Sequence, residues 1–508
     1  MFFFLPPASD RPPVRLIVAT LLTSLLSTFL LSPQAQAQAA PYCQQSQAAI
    51  DQKEALRRLA ARGGNQDAQK RYASLVKQHG ERLQKCRKQT QLQTQAIWLR
   101  LYPCDAKPGA LESVLDQIVN RGYSQVNVET FYNGRVLLPT TDNPTAWASV
   151  LGGSKAQQAD LLAEIIRKGR ARGLKVYAWL FGMNMGASYV SRPDKQQTLA
   201  RNGLGQTSLT ASTVAGLSVD IGLTNPEEAF IDPYSPQARQ DYAQMVQAIV
   251  QRKPDGVLFD YIRYPRGYGS ASVASKIQDL WVYGEASQQT LFQRALNYRG
   301  MELIRRFLEQ GYITGDDLKA VNQLYPQERE PLWQGLDPKR TTASLPLARR
   351  VARLQADLWQ LSVAHASQGV LDFVSAAVAP VQRQGIPAGV VFFSDGNSSV
   401  GRSGFDSRLQ PWDRFSGSLE WHPMAYANCG SAKCITAQIQ RVLQAAPRGT
   451  KVKPVLAGVW QQSVSNRPPL EVQMQALQRM APQVKGVSHF AYSWQEPGSD
   501  RNRKYCQP

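Results

Sequence analysis

From Ala96 to Tyr492 the chain alternates short runs rich in β-branched and aromatic residues with amphipathic helical stretches, and this alternation limits the folds open to it. Strands are expected at Ala96–Tyr102, Gln125–Glu129, Lys175–Leu180, Gly256–Asp260, Gly389–Ser394, Leu419–Met424, Pro454–Gly458 and Val487–Tyr492. The clearest helical patterns between them are Leu111–Arg121, Gln157–Ala171, Gln237–Arg252, Ala437–Ala445 and Glu471–Ala481. Strands that alternate with helices form parallel sheets, and eight strands close a (β/α)8, or TIM, barrel. The rival is an open doubly wound sheet. It usually carries a glycine-rich phosphate turn after its first strand, and none is present here. No cofactor is expected. A chain of 508 residues, 43% hydrophobic and 19% charged, has the balance of an ordinary globular protein.

Two long segments interrupt the alternation. Residues 182–231 and 266–387 both follow strand ends, so in a barrel both belong to the face that carries active sites. The second shows apolar spacing at Leu347, Val351, Leu354 and Leu358. A helix start is expected at Ser235-Pro236, a capping residue followed by a first-turn proline.

Ahead of the barrel, residues 1–39 read as an export signal. Arg11 and Arg15 precede an apolar run from Leu16 to Leu31, and Ala35-Gln36-Ala37 and Ala37-Gln38-Ala39 offer small-x-small cleavage sites. The run is short for a membrane span, so no stable span is expected once the signal is cleaved. The expected location is secreted or periplasmic, in the cell envelope. Residues 41–92 differ again, being rich in Gln, Ala, Lys and Arg. Two helical patterns, from about Gln45 to Arg62 and from about Gln66 to Lys88, flank Gly63-Gly64. They suggest a hairpin with a thin apolar seam of Leu56, Leu59, Leu75, Val76 and Leu83.

Export makes the cysteines readable as disulfides. Folding the hairpin at its glycine pair brings Cys43 beside Cys86. Barrel closure makes the first and last strands neighbours and brings Cys104 towards Cys506. Cys429 and Cys434 are close in sequence. A zinc site is the alternative for Cys429 and Cys434, but no second ligand pair stands near them. His79, His365, His422 and His489 are scattered singly, which argues against a metal-dependent deacetylase.

The formal net charge is +20. On an exported protein this disfavours nucleic acid as a partner. It suits an anionic polymer or surface, or serves solubility alone.

At the expected C-terminal strand ends, carboxylates and aromatic residues recur. Asp260, Asp395, Glu129 and Glu420 are candidate catalytic carboxylates, because glycoside hydrolysis uses a pair of them. Asp260 with Asp395 is the first-choice pair. Asn127, Tyr132, Trp179, Tyr261, Arg263, Tyr264, Trp421, His422, Tyr426, Trp460 and Trp494 are candidate substrate contacts. Sugar rings have apolar faces that stack on aromatics and hydroxyls that need polar partners. Each has a plainer reading: Asp260 as the ion-pair partner of Arg263, Asp395 as a turn residue, Glu129 and Glu420 in structural salt bridges, the aromatics as core.

Residues 96–500 resemble the glycoside-hydrolase-like family 10 barrels, known as GHL10 or DUF187. The resemblance rests on Val126-Asn-Val-Glu-Thr-Phe-Tyr-Asn-Gly-Arg-Val-Leu-Leu-Pro139, Val176-Tyr-Ala-Trp179 and Ile231-Asp-Pro-Tyr-Ser-Pro236. Glu420-Trp-His-Pro-Met-Ala-Tyr426 and, most specifically, Asp255-Gly-Val-Leu-Phe-Asp-Tyr-Ile-Arg-Tyr-Pro265 complete it. It implies a TIM barrel over 96–508 and action on a polysaccharide or oligosaccharide. Members often carry two successive acids at the end of strand four. Here Tyr261 holds the second place and Asp260 is the sole acid. Two functions follow as expectations: an exported glycosidase, or a sugar-binding or envelope structural barrel without turnover.

Overall fold

The computed structural model describes residues 42–61, 64–211, 227–337, 339 and 342–506. The expected signal at 1–39 lies outside the described residues. Eight parallel strands form the centre: β1 (Thr94–Leu99), β2 (Gln125–Tyr132), β3 (Lys175–Phe181), β4 (Gly256–Asp260), β5 (Ala388–Phe393), β6 (Glu420–Ala425), β7 (Val455–Ala457) and β8 (Gly486–Phe490). Each pairs with the next in parallel. The ring closes through Thr94↔Gly486 to Ile97↔His489 between β1 and β8. The fold is thus the expected TIM barrel. Its strands are buried almost along their whole length because both faces are covered, the inner by the barrel core and the outer by helices.

The helices expected between strands are present. α3 is Ala110–Asn120, α4 Leu161–Arg170, α5 Pro236–Val250, α10 Ala432–Ala445 and α11 Leu470–Met480. α5 begins at the anticipated cap: the Ser235 side chain accepts from Ala238 N, with Pro236 next. Between β4 and β5 lie α6 (Glu285–Phe292), α7 (Tyr298–Gln310), α8 (Gly315–Leu324) and α9 (Leu347–Arg383). α9 packs along α5, so the end of the 266–387 segment is the barrel's own helix before β5. Leu354 and Leu358 are buried on it, while Leu347 at its start is exposed. A small antiparallel sheet of Val273–Ala274, Ser399–Val400 and Gly404–Asp406 ties the loop after β4 to the loop after β5.

Among the described residues two helices precede the barrel, α1 (Gln47–Ala61) and α2 (Gln66–Gln89). The apolar seam expected between them is largely absent. Val76 and Leu83 are buried, but Leu59 is 44% exposed, and Leu56 and Leu75 are half-buried. Charged groups fill the role. Lys53 and Arg172 converge on Asp116 of α3, at 3.8 and 2.9 Å, and the Tyr72 hydroxyl donates to the same carboxylate at 2.7 Å. Arg87 donates to the backbone oxygens of Gly122 and Tyr42 and to Gln95 Oε1. The helices can approach α4 closely because Gly80 lies against the Arg172 carbonyl, where a Cβ would stand 2.6 Å from the oxygen. Reading apolar spacing alone misses such docking, because long cationic side chains bury their stems and pair their heads.

Cys43 and Cys86 are bonded at a Cα separation of 5.7 Å, Cys104 and Cys506 at 6.3 Å, and Cys429 and Cys434 at 6.6 Å. No helix among the described residues is long and apolar enough to cross a membrane.

Candidate active site at the barrel mouth

Asp260 is the last residue of β4, and the chain turns sharply after it. Tyr261 adopts φ +52°, a left-handed conformation uncommon for a non-glycine residue, and its ring stacks on Phe181 with centroids 4.1 Å apart. That turn brings the Tyr261 N–H to Asp260 Oδ1 at 2.7 Å. The Trp179 indole N–H donates to Oδ2 at 3.1 Å. Among the described residues no cation bonds the carboxylate, and Asp260 and Arg263 form no ion pair. Burial pushes the Asp260 carboxyl up to about 6, against the pull of the Tyr261 N–H, Arg263 and Trp179; the charge of Glu129 pushes the same way as burial.

Glu129 of β2 lines the same cavity, about 250 Å³ in volume. Register explains the meeting: Glu129 stands opposite Trp179 and Asp260 opposite Phe181, so β3 lies between the two acids. Arg100, just past the end of β1, donates to both Glu129 oxygens, with Nη2 at 3.1 Å from Oε1. Burial raises the Glu129 carboxyl and Arg100 opposes it. A carboxyl that accepts at both oxygens from one guanidinium has the contacts of the ionised form. Trp179, Tyr261, Arg263, Tyr426 and Phe490 complete the polar and aromatic wall.

The other expected residues lie elsewhere. Asp395 is not brought to Asp260. It sits in the turn after β5, half-exposed, with Oδ2 3.0 Å from Arg408 Nη2, because the strand ends at Phe393 and the Asp-Gly step turns the chain outward. Glu420 is the first residue of β6, hence at the N-terminal end of the barrel, away from the mouth. Burial would raise it, but His422 and Lys453 hold it down to about 2, with Lys453 Nζ at 2.8 Å and His422 Nε2 at 3.5 Å. Asn127 is inside the barrel, accepting from Gln125 Nε2 at 2.8 Å. Tyr132 lies under the Arg100 guanidinium. Tyr264 is buried and donates to the Ala366 carbonyl. Trp421 packs against Phe392 and Trp412. Trp460 packs against Tyr42 and donates to the Tyr123 hydroxyl. Trp494 is half-buried against Phe490. Among the described residues no three His, Cys, Asp or Glu side chains come together as metal ligands.

Sequence reasoning missed two charged residues. Arg100 follows a strand end, the rule that found the others. Glu228 accepts from the Tyr261 hydroxyl at 3.2 Å and lies in the 182–231 segment, where no strand period gave it a place.

A closed parallel barrel with acids and aromatics at its C-terminal strand ends is an architecture on which glycoside hydrolysis can be built. Residues 109–295 match the family described as "Glycosyl hydrolase-like 10", whose motifs the sequence carries, and the match takes in Glu129, Trp179, Asp260, Tyr261 and Arg263. The glycoside hydrolase domain of PgaB (BpsB) from Bordetella bronchiseptica is similar in structure at 14% identity and a TM-score of 0.46, over 81% of this chain and 98% of that one. The β-galactosidase from Rahnella sp. R3 is similar at 12% identity and a TM-score of 0.45, over 78% of this chain and 50% of that one. The GH20 β-N-acetylhexosaminidase from Streptomyces coelicolor A3(2) is similar at 9% and 0.37, over 78% and 59%. No curated protein matches the chain.

Proposed function

We propose that the protein is an exported glycosidase that hydrolyses a polysaccharide, with Asp260 as its proton donor and Glu129 as the second carboxylate. One observation carries the reading: two buried carboxyls share a cavity at the C-terminal strand ends, one without a cation and one bonded by Arg100. Contrasting environments divide acid from base in such pairs. Asp260, held near 6, keeps a proton to give to the leaving glycosidic oxygen. Glu129, both its oxygens bonded by Arg100, faces the positive charge that develops on the sugar ring, as nucleophile or as base for water. Trp179, Tyr261 and Tyr426 offer stacking faces to the ring.

The domain reading belongs to the same proposal: a signal over 1–39, a hairpin over 41–92 and a barrel over 96–508, with the segments 182–231 and 266–387 shaping its mouth. Three disulfides suit an oxidising compartment and support export to the envelope. The test is release of reducing ends from a panel of glucan, glucosaminoglycan and peptidoglycan substrates by the wild type, Asp260→Asn and Glu129→Gln. The reading expects turnover by the wild type, a loss of about 10²-fold or more in either variant, and retained oligosaccharide binding by Asp260→Asn.

A sugar-binding barrel without turnover is the second reading. What favours it is the engagement of Glu129 by Arg100, which takes up both its oxygens. Binding without hydrolysis by the wild type would establish it.

A further inference from the structure

Beside the cavity of Asp260 runs a larger groove of about 1070 Å³. Tyr261, Arg263 and Phe393 line both spaces, so they form the wall between them. A glycan longer than one sugar, seated at Asp260, continues past this wall. Arg263 is only 7% exposed. Its contacts are one backbone carbonyl, Tyr264 O at 2.9 Å, and the rings of Tyr261, Phe230 and Phe393 at 4.8, 5.4 and 5.8 Å. Arg266, at the groove's edge, lies over Tyr268 and Phe393 at 5.2 and 5.7 Å. Neither makes an ion pair among the described residues.

A nearly buried guanidinium without a counter-ion is unfavourable unless a partner arrives. The groove's own acids are already engaged. Asp279 Oδ2 accepts from the backbone N–H groups of Ser275 and Lys276 at 2.9 and 3.1 Å. Glu228 accepts from the Tyr261 hydroxyl, and its burial raises its carboxyl although Arg263 draws it down. The aromatic rings hold the two guanidinium groups in place by cation–π contact and leave N–H groups for a ligand. A planar fork of N–H donors matches a carboxylate.

We propose that this groove binds the acidic part of the glycan, a carboxylate-bearing sugar such as a uronate, through Arg263 and Arg266. The proposal rests on the glycosidase reading of the adjoining cavity and names its substrate class. Arg263 selects the acid close to the reacting bond, and Arg266 secures the next residue along the chain.

The test uses the full-length Asp260→Asn protein, so that oligosaccharides stay intact. Binding of uronate hexasaccharides is measured by calorimetry beside the same hexasaccharides with their carboxyls reduced to alcohols. The expected result is at least tenfold tighter binding of the acidic form, weakened by salt. Adding Arg263→Met or Arg266→Met should each lower the affinity for the acidic form more than that for the reduced form, and so narrow the preference. Arg266 is exposed, so its variant keeps the test decisive if Arg263→Met fails to fold. Equal binding of both forms, or a preference that neither Arg266→Met nor its combination with Arg263→Met narrows, overturns the proposal. Wild-type turnover separates the two readings. Hydrolysis of neutral glycans without acidic preference overturns the groove assignment and leaves the glycosidase. Acidic preference without hydrolysis of any glycan overturns the glycosidase and leaves the groove as an acidic-sugar site.

Discussion

Asp260 and Glu420 are each 7% exposed, at opposite ends of one barrel, yet their carboxyls move in opposite directions. Asp260, at the C-terminal end, rises to about 6. Glu420, at the N-terminal end, falls to about 2. Burial penalises the charged form at both, so burial does not separate them. Partners do: Lys453 bonds Glu420 at 2.8 Å and His422 Nε2 stands 3.5 Å away, whereas among the described residues Asp260 receives only a backbone N–H and an indole N–H. A buried acid held ionised by a neighbouring cation suits a structural role. A buried acid that opens on a cavity, with no cation bonded to it among the described residues, suits the proton donor proposed above.

The largest expected effect is on rate. Asp260→Asn should lower turnover by about 10²–10⁴-fold, the usual contribution of a general acid, without lowering the melting temperature. Product release and thermal melting on one preparation measure both. Wild-type turnover in the folded variant would remove Asp260 from the chemistry.

Glu420→Gln should do the reverse. It leaves Lys453 buried without its partner, at a cost of about 3–5 kcal/mol in stability, while turnover per folded molecule stays unchanged. The sign follows from its lowered pKa. The contribution is present above the ordinary glutamate range and is lost as pH falls from there towards 2. Denaturant melts of wild type and variant should therefore converge in acid. A stable Glu420→Gln protein with poor activity would invert the comparison.

The same contrast shows what the sequence made legible. Strand existence was readable everywhere, because β-branched runs such as Val176-Tyr-Ala-Trp179 and Val257-Leu-Phe-Asp260 carry their own signal. Strand ends were not fixed as closely, and the site depends on ends. Expecting β6 to start at Leu419 left Glu420 looking like a mouth residue, although a strand's second residue lies at its N-terminal end. Asp395 was placed at a strand end, but β5 stops at Phe393 and the Asp-Gly turn carries the side chain outward. Glu129 and Asp260 share a cavity through a two-strand register that no local pattern encodes. Charged docking by Lys53, Arg87 and Arg172 was invisible for the same reason, since their partners lie far along the chain.

A third effect concerns pH. The folded-state value of Asp260 is raised, so the folded protein holds this proton more tightly than the unfolded chain. Asp260 then destabilises the fold as pH rises from its unfolded value near 3.8 towards 6, by about 2–3 kcal/mol in all. Asp260→Asn lacks this dependence. Its stability advantage over the wild type should open across that window and level off above it. In the wild type, turnover should fall as pH rises through about 6, when the proton leaves. A rate that rises through 6 would make Asp260 the base rather than the acid.

The smallest effect isolates one hydrogen bond at the mouth. The Trp179 N–H lies 3.1 Å from Asp260 Oδ2 and favours the ionised carboxylate. Trp179→Phe removes that donor and keeps an aromatic ring to pack edge-on against Trp98, whose centroid is 4.6 Å away. Losing a donor to the charged form pushes the Asp260 carboxyl further up. The falling limb of the pH–rate profile should then move to higher pH by up to about one unit, equivalent to about 1 kcal/mol. Weaker sugar stacking would raise KM at every pH, so the shift is read in kcat. No comparable shift should follow from removing Lys453 at the opposite end, where Lys453→Met changes stability alone. A limb that stays in place in Trp179→Phe, or moves with Lys453→Met, would mean that the titrating group is not Asp260.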